Sequence, residues 1–122
     1  MYVVLPEGAY MYDAKAHSLR LVVPGDLRAV TGIQLFAATT PLNLVFVADV
    51  TRMEGAAPDL QALYYGVDTG FISQNVYLFC ASEGLGTVVR GLVDREALTK
   101  ALSLPEHCKI VFAQSVGYPA TE

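Results

Sequence analysis

The sequence predicts an α+β protein in which helices pack on one antiparallel or mixed sheet. Three observations predict this class. Two strand-like segments near the start have the spacing of a hairpin, a long apolar helix occupies the middle, and strands separated by helices complete the chain. Paired strands followed by strands that alternate with helices are typical of α+β domains.

Length and composition place the chain among compact folded proteins. With 122 residues, we expect one domain over residues 1–122. At 53% hydrophobic and 16% charged residues, the chain has too many core-forming side chains for a disordered protein. The formal net charge of −4 and the scattered basic residues argue against nucleic acid as a partner.

The sequence indicates a cytoplasmic protein. Its start lacks the charged and apolar segments of a signal peptide, and Cys80 and Cys108 do not have metal-binding spacing. The longest apolar run, residues 62–81, contains an aspartate and two amides, so no membrane span is expected.

The first predicted strands are residues 2–5 and the two arms of a hairpin, residues 9–12 and 18–23. In the second arm, Leu19, Leu21 and Val23 alternate with Arg20 and Val22, so one face of this arm is expected to be buried.

Three further strands are predicted. The segment 42–50 is expected to be a central strand covered on both faces, because it contains a continuous apolar run. The segments 87–92 and 109–116 are rich in β-branched and other apolar residues, which favours strands.

Three helices are predicted. The first is capped by Asp26 and ends near Phe36, and the longest is capped by Asp59 and ends near Glu83. The third is capped by Asp94, and one of its sides is apolar.

The long helix is apolar on nearly every side in its second half. This pattern is typical of a helix buried in a core or an interface, where Gln74 and Asn75 would need buried partners. Gly84 is expected to end the helix in a left-handed conformation. A chain of this size has little else to cover the helix, so we expect a homodimer in which residues 71–81 are inaccessible.

The segment from Asp68 to Gly91 contains Asp-x-Gly-x-x-x-Gln-Asn-x-x-Leu, then Gly-Leu-Gly-Thr, a short strand and a final glycine. This order resembles the second half of the nitroreductase family of FMN-dependent oxidoreductases. The later segments GLVDREALTKALSLPE and VGYP resemble that family's last helix and last core strand. The matching positions are Asp68, Gly70, Gln74, Asn75, Leu78, Gly84, Leu85, Gly86 and Gly91.

The resemblance implies a cofactor site at the end of the strand near residue 90. Val88 and Val89 would lie against the flavin ring, and Arg90 and Gly91 would offer backbone contacts. Fixed backbone dipoles beside the ring would tune the redox step. No catalytic side chain and no metal are implied. The alternative from the residues alone is an ordinary edge strand with a solvated Arg90.

The resemblance implies a homodimeric oxidoreductase that takes electrons from NAD(P)H through FMN to a small-molecule acceptor, such as a nitro-aromatic or a quinone. Two alternatives stay open. One is a non-catalytic dimerising remnant or binding module without flavin, and the other is a flavin-dependent dehydrogenase acting on a peptide or azoline substrate.

The resemblance also implies two segments near the N-terminus of such proteins, one that binds the FMN phosphate and one that binds the flavin, and basic residues after the last strand. These would lie upstream of Met1 and downstream of Pro119. We therefore expect a chain truncated at its N-terminus relative to the family, with weak FMN binding by these 122 residues alone.

Overall fold

The computed structural model describes residues 1–121 and shows a six-stranded antiparallel sheet with helices against it. The prediction of an α+β fold is therefore confirmed, and all pairings are antiparallel. The strands are β1 (Tyr2–Leu5), β2 (Gly8–Asp13), β3 (Ser18–Pro24), β4 (Leu42–Asp49), β5 (Gly86–Arg90) and β6 (Cys108–Gly117). The α-helices are α1 (Pro58–Glu83) and α2 (Arg95–Ala101), and short 3-10 helices span Arg28–Thr31, Leu35–Ala38 and Val50–Met53.

The strands are arranged in the order β3-β2-β1-β4-β6-β5. Strand β4 lies between β1 and β6, which confirms the central strand predicted from its apolar run. Because alternate side chains of a strand point to opposite faces, β4 supplies Val45 to one core and Leu44 and Phe46 to the other.

The two faces of the sheet carry separate cores. On one face, α2 and the first 3-10 helix cover a cluster that includes Val4, Leu98 and Leu102. On the other face, Tyr65 and Val76 of α1 pack against Phe46 and its neighbours. Each fully buried side chain of this size stabilises the fold by about 1.5–3 kcal/mol, so the sheet is held from both sides.

A bulge interrupts β6 beside the edge strand. Val45 pairs with Ala113 but Val47 pairs with Ile110, so two residues of β6 oppose one residue of β4. One of these two residues, Phe112, is left partly exposed beside the end of β5.

The α-helix predicted from Asp26 to about Phe36 is wrong. Two 3-10 helices replace it, and the Asp26 carboxylate accepts hydrogen bonds from the backbone and guanidinium of Arg28 instead of capping an α-helix. Ile33 donates its N–H to the carbonyl oxygen of Leu92 at 3.2 Å. Since this donor is used between elements, the segment cannot continue as one regular helix.

Helix α1 begins one residue earlier than the predicted cap and ends as expected. Pro58 occupies the start of the helix, and Asp59 lies in the first turn instead of at the cap position. Gly84 ends the helix in a left-handed conformation, with φ of 68°, as predicted. Within residues 1–121, no helix, α1 included, combines the length and apolar character needed to cross a bilayer.

The predicted burial of one face of β3 is only partly correct. Val23 packs against the core, but Leu19 and Leu21 are exposed, because β3 is an edge strand and the helices cover the sheet nearer its centre. Gln74 and Asn75 are exposed in the single chain, so buried partners for them stay a prediction that depends on the dimer. The apolar side chains around them are exposed as well: Leu60, Leu63, Tyr64, Val67, Phe71, Ile72, Leu78 and Phe79.

Candidate functional site

The predicted site residues lie at the last strand of the sheet. Among residues 1–121, strand β5 pairs only with β6, so no other described strand covers its outer edge. We call residues Val88–Leu92 the strand end. Val88 is 43% exposed and Leu92 is 57% exposed, so the strand end presents apolar side chains to its surroundings.

Tyr77 closes part of the outer edge. The Val89 N–H donates a hydrogen bond to the Tyr77 hydroxyl at 2.8 Å, so this N–H points away from β6. Backbone groups two residues apart on a strand point the same way, and Gly91 directly follows the last residue of β5, so continued alternation would make its N–H the next outward donor. Within residues 1–121, that N–H has no hydrogen-bond partner.

Gly91 lies close to the bulge of β6. A Cβ atom at this position would lie 3.2 Å from Cε1 of Phe112, a tight contact. The Gly91 carbonyl oxygen accepts hydrogen bonds from the Val93 N–H at 3.0 Å and from the Arg95 guanidinium at 3.4 Å. The carbonyl is therefore held by the protein while the neighbouring N–H stays free.

Arg95 links the strand end to the bulge. Its Nε donates to the Ile110 carbonyl at 3.2 Å, and its Nη2 donates to the Val111 carbonyl. Together with the bond to Gly91, one guanidinium satisfies three carbonyls where the regular ladder between β5 and β6 has stopped. This role was not predicted from the sequence, because Arg95 has there only the position of the first residue of a capped helix.

The Arg90 side chain points into the protein and is only 3% exposed, so the solvated arginine of the alternative reading is wrong. Its Nε donates to Ser115 Oγ at 2.9 Å, and its Nη2 donates to Asn43 Oδ1 at 2.9 Å. Its Nη1 donates to the Thr31 carbonyl at 2.8 Å. Three separate elements therefore converge on one guanidinium.

The acceptors around Arg90 form a connected network. Ser115 donates its hydroxyl to Asn43 Oδ1 at 2.6 Å, and Asn43 Nδ2 donates to the Ala37 carbonyl at 2.9 Å. The ring of Phe36 lies 5.9 Å from the guanidinium carbon, within the range of a cation–π contact. Burial lowers the pKa of Arg90, because desolvation disfavours its charged form.

Gly32 is required by the position of Arg90. A Cβ atom on Gly32 would lie 1.8 Å from Nη1 of Arg90, which is far inside a normal contact distance. Because Ile33 binds the Leu92 carbonyl and Thr31 binds Arg90, the glycine lies between two attachments of this segment to the strand end.

The two cysteines show no activated thiol. Cys80 is buried at 1% exposure, as a small core residue. The pKa of the Cys108 thiol is raised by burial first and by the nearby Asp49 carboxylate second, which disfavours the thiolate.

These features define an α+β protein with an open sheet edge, a free backbone donor and apolar side chains at one strand end. The sequence model of the nitroreductase family matches residues 2–118, so the chain belongs to the nitroreductase family.

Three relatives illustrate the similarity. A candidate nitroreductase of Methanocaldococcus jannaschii is 30% identical over 109 residues, which cover 86% of this chain and 55% of that protein. The crystal structure of a candidate nitroreductase from Ralstonia eutropha JMP134 superposes with a TM-score of 0.92 at 42% identity, covering 99% of this chain and 58% of that one. The NADPH:FMN oxidoreductase of Vibrio harveyi, solved with NAD+, gives a TM-score of 0.65 at 29% identity over 78% of this chain and 45% of that one.

The superposition with the Ralstonia protein confirms the expected nitroreductase-like fold. The chain spans about half the length of these three relatives. The assignment of Val88, Val89, Arg90 and Gly91 to a cofactor site stays a prediction.

Proposed function

We propose that this chain forms the flavin-ring side of an FMN-dependent oxidoreductase, which takes electrons from NAD(P)H and passes them to a nitro-aromatic, a quinone or a similar small acceptor. Membership of the nitroreductase family supports oxidoreductase activity. The name of the Vibrio relative, an NADPH:FMN oxidoreductase, supports the choice of cofactor and reductant.

The observation that carries the proposal is the free Gly91 N–H at an open sheet edge. A flavin ring has hydrogen-bond acceptors along one edge and apolar faces, and the strand end offers a matching donor beside the exposed side chains of Val88 and Leu92. The described residues therefore fit the ring. In this arrangement, one side of the ring lies against Val88, Val89, Arg90 and Gly91, and the N–H donor at Gly91 orients the ring.

Bound FMN would supply the capacity to accept a hydride and to pass electrons on. The protein's share is binding and orientation. The Gly91 N–H belongs to the peptide group that joins Arg90 to Gly91, and the pairing of Arg90 with Ala113 on β6 orients this dipole before any ring binds. The apolar side chain of Val88 would keep water from the side of the ring that it covers.

The described residues offer fewer partners for the FMN phosphate than for the flavin ring. Two of the eight Lys and Arg side chains, Arg90 and Arg95, donate to uncharged protein groups. Lys15 and Arg20 belong to the β2–β3 hairpin at the opposite edge of the sheet from β5, and Lys109 lies in β6. The remaining three are in ion pairs: Arg28 with Asp26, Arg52 with Asp49, and Lys100 with Glu96.

We therefore propose that the 122-residue chain binds FMN weakly and that partners outside it would hold the phosphate. Charge-assisted hydrogen bonds contribute roughly 1.5–3 kcal/mol each, so two or three missing partners would weaken binding by several powers of ten.

A homodimer is part of the proposal. The exposed side of α1 carries the large apolar residues Phe71, Leu78 and Phe79, and a contiguous apolar surface of this kind marks an interaction site. The same surface also favours the second candidate function, a dimerising module that binds no flavin.

The test compares two glycines of the same region. Gly91→Ala places a Cβ against Phe112, whereas at Gly86 the nearest atom to an added Cβ is 3.8 Å away. A flavin-fluorescence titration of wild type, Gly91→Ala and Gly86→Ala should show weaker FMN binding for the first variant only. NAD(P)H-dependent reduction of bound FMN in wild type would support the enzyme, and complete absence of FMN binding in wild type would favour the dimerising module.

A further inference from the structure

Arg90 is a buried cation that has only uncharged partners. Its hydrogen bonds go to the Thr31 carbonyl, the Asn43 amide oxygen and the Ser115 hydroxyl. No carboxylate within residues 1–121 forms an ion pair with it. An arginine stays protonated in proteins, so a full positive charge is enclosed at this place.

This arrangement is costly for stability alone. Removing a charge from water carries a large penalty, and apolar residues of similar volume in such positions often give equal or greater stability. Buried charges are usually paired. A guanidinium held only by neutral acceptors leaves a net positive charge inside the protein, and its field acts on any group that binds nearby.

The location indicates which group. Arg90 directly precedes Gly91, whose free N–H points out of the sheet edge. The guanidinium itself lies inward from the strand end, where it donates to Ser115 on β6 and to Asn43 on β4, so its charge would act on a bound group through the protein and not by contact. The position of the guanidinium is fixed, because Gly32 leaves room for it and Thr31 accepts its hydrogen bond. The charge cannot move without breaking these contacts.

We propose that Arg90 raises the reduction potential of the flavin through space, by holding an uncompensated positive charge inward of the strand end. The inference rests on the proposed function. A hydride delivered by NAD(P)H brings two electrons and one proton, so the reduced ring system is one unit more negative than the oxidised one. A fixed cation therefore favours the reduced state over the oxidised state.

Asn43→Asp gives the sharpest test. This substitution places a carboxylate where Asn43 Oδ1 now accepts from Arg90 at 2.9 Å, so it neutralises the charge and retains Arg90. It also removes the donor to the Ala37 carbonyl, and the thermal midpoint reports that cost separately from the potential. Arg90→Met removes the charge, and Arg90→Lys retains it with fewer hydrogen bonds. Ser115→Ala is the matched control, because it removes one acceptor of the guanidinium and no charge.

The measurements are the midpoint potential of bound FMN, the dissociation constants of oxidised and reduced FMN, and the thermal midpoint of each apoprotein. We expect Asn43→Asp and Arg90→Met to lower the potential. The ratio of the oxidised to the reduced dissociation constant should fall about tenfold, the size typical of one nearby charge. Arg90→Lys should stay near wild type, and Ser115→Ala should lower the thermal midpoint without changing the potential.

The outcomes separate this inference from the proposed function. Wild type that binds no FMN overturns both. Wild type that binds FMN with the same potential as Asn43→Asp overturns the role of Arg90 alone, and so does an Arg90→Lys variant that behaves like Arg90→Met. If Arg90→Met does not fold, the comparison of Asn43→Asp with Ser115→Ala decides, since both retain Arg90.

Discussion

The hydroxyl of Tyr77, on α1, accepts a hydrogen bond from the N–H of Val89, on β5, at 2.8 Å. A side chain of the helix thereby takes the place of a missing neighbouring strand. The bond leaves Gly91 as the donor that remains free at the strand end. The unpaired donors of an edge strand can pair with another chain, and the Tyr77 hydroxyl occupies one of these donors.

Tyr77→Phe should weaken β5 locally. Loss of the acceptor leaves the Val89 N–H without its partner, and a single hydrogen bond of this type contributes about 0.5–1.5 kcal/mol. Hydrogen exchange at Val89 should accelerate, and chemical denaturation should show a loss of that size. Tyr64→Phe, on the exposed side of the same helix, should change neither. Equal exchange rates at Val89 in both variants would contradict this role of Tyr77.

Gly32→Ala should destabilise the fold, because the added Cβ would lie 1.8 Å from Nη1 of Arg90. Overpacking of this kind typically costs 1–3 kcal/mol. Gly66→Ala is the contrasting substitution, since a Cβ there meets nothing within 4 Å and alanine favours a helix over glycine by up to about 1 kcal/mol. Urea unfolding should therefore shift in opposite directions for the two variants, and a neutral Gly32→Ala would show that Arg90 can move freely.

Asp26 should contribute to the loss of folding stability at acidic pH. Hydrogen bonds from the Arg28 side chain, followed by one from its backbone, lower the pKa of Asp26 from 3.8 to about 2. A carboxylate with a lowered pKa in the folded state contributes stability that is fully present above its unfolded pKa and lost as the pH falls through the folded pKa. The loss should fall between about pH 4 and pH 2.

An NMR titration of the Asp26 carboxyl carbon checks the pKa directly. The Asp26→Asn variant should lose less folding stability in acid than wild type does, because the amide does not titrate. A midpoint near 3.8 for Asp26 in the folded protein would contradict the ion pair with Arg28.

Phe71→Glu should disrupt the proposed dimer without unfolding the chain. Phe71 is 67% exposed in the single chain, so a charge there costs little until a second copy covers it. Light scattering at micromolar concentration should give a dimer for wild type and a monomer for this variant. Leu19→Glu, on the exposed edge strand β3, is the control and should remain dimeric. A monomeric wild type would overturn the proposed homodimer.

The fold was largely predictable from the sequence because its main signals are local. The apolar run of β4, the hairpin of β2 and β3, the Asp94 cap of α2 and the left-handed Gly84 all match the structure. The segment after Asp26 was mispredicted because its donors are used by distant residues, as in the bond from Ile33 to Leu92. Periodicity within a segment carries no information about such partners.

The sequence predicts the candidate site only as a position along the chain. The order of residues up to Gly91 indicates where a cofactor could lie, and the assignment of these residues to a cofactor stays a prediction. The network of Arg90 joins residues that are 25 to 72 positions apart in sequence, so no local pattern reports it. The contribution of Tyr77 was hidden for the same reason, because its spacing is that of any core aromatic.

The short connection between α1 and β5, residues 84–85, which we call the joint, fixes the position of the strand relative to the end of the helix. The N–H groups of Gly84 and Leu85 both bind the Cys80 carbonyl, and β5 begins at the next residue, Gly86. An extra residue in this joint would shift β5 by one position and turn every side chain to the opposite face of the sheet. The buried charge would then face the wrong core. Natural variation in length is consequently expected in the exposed hairpin loop near Lys15, at the opposite edge of the sheet, and not at this joint.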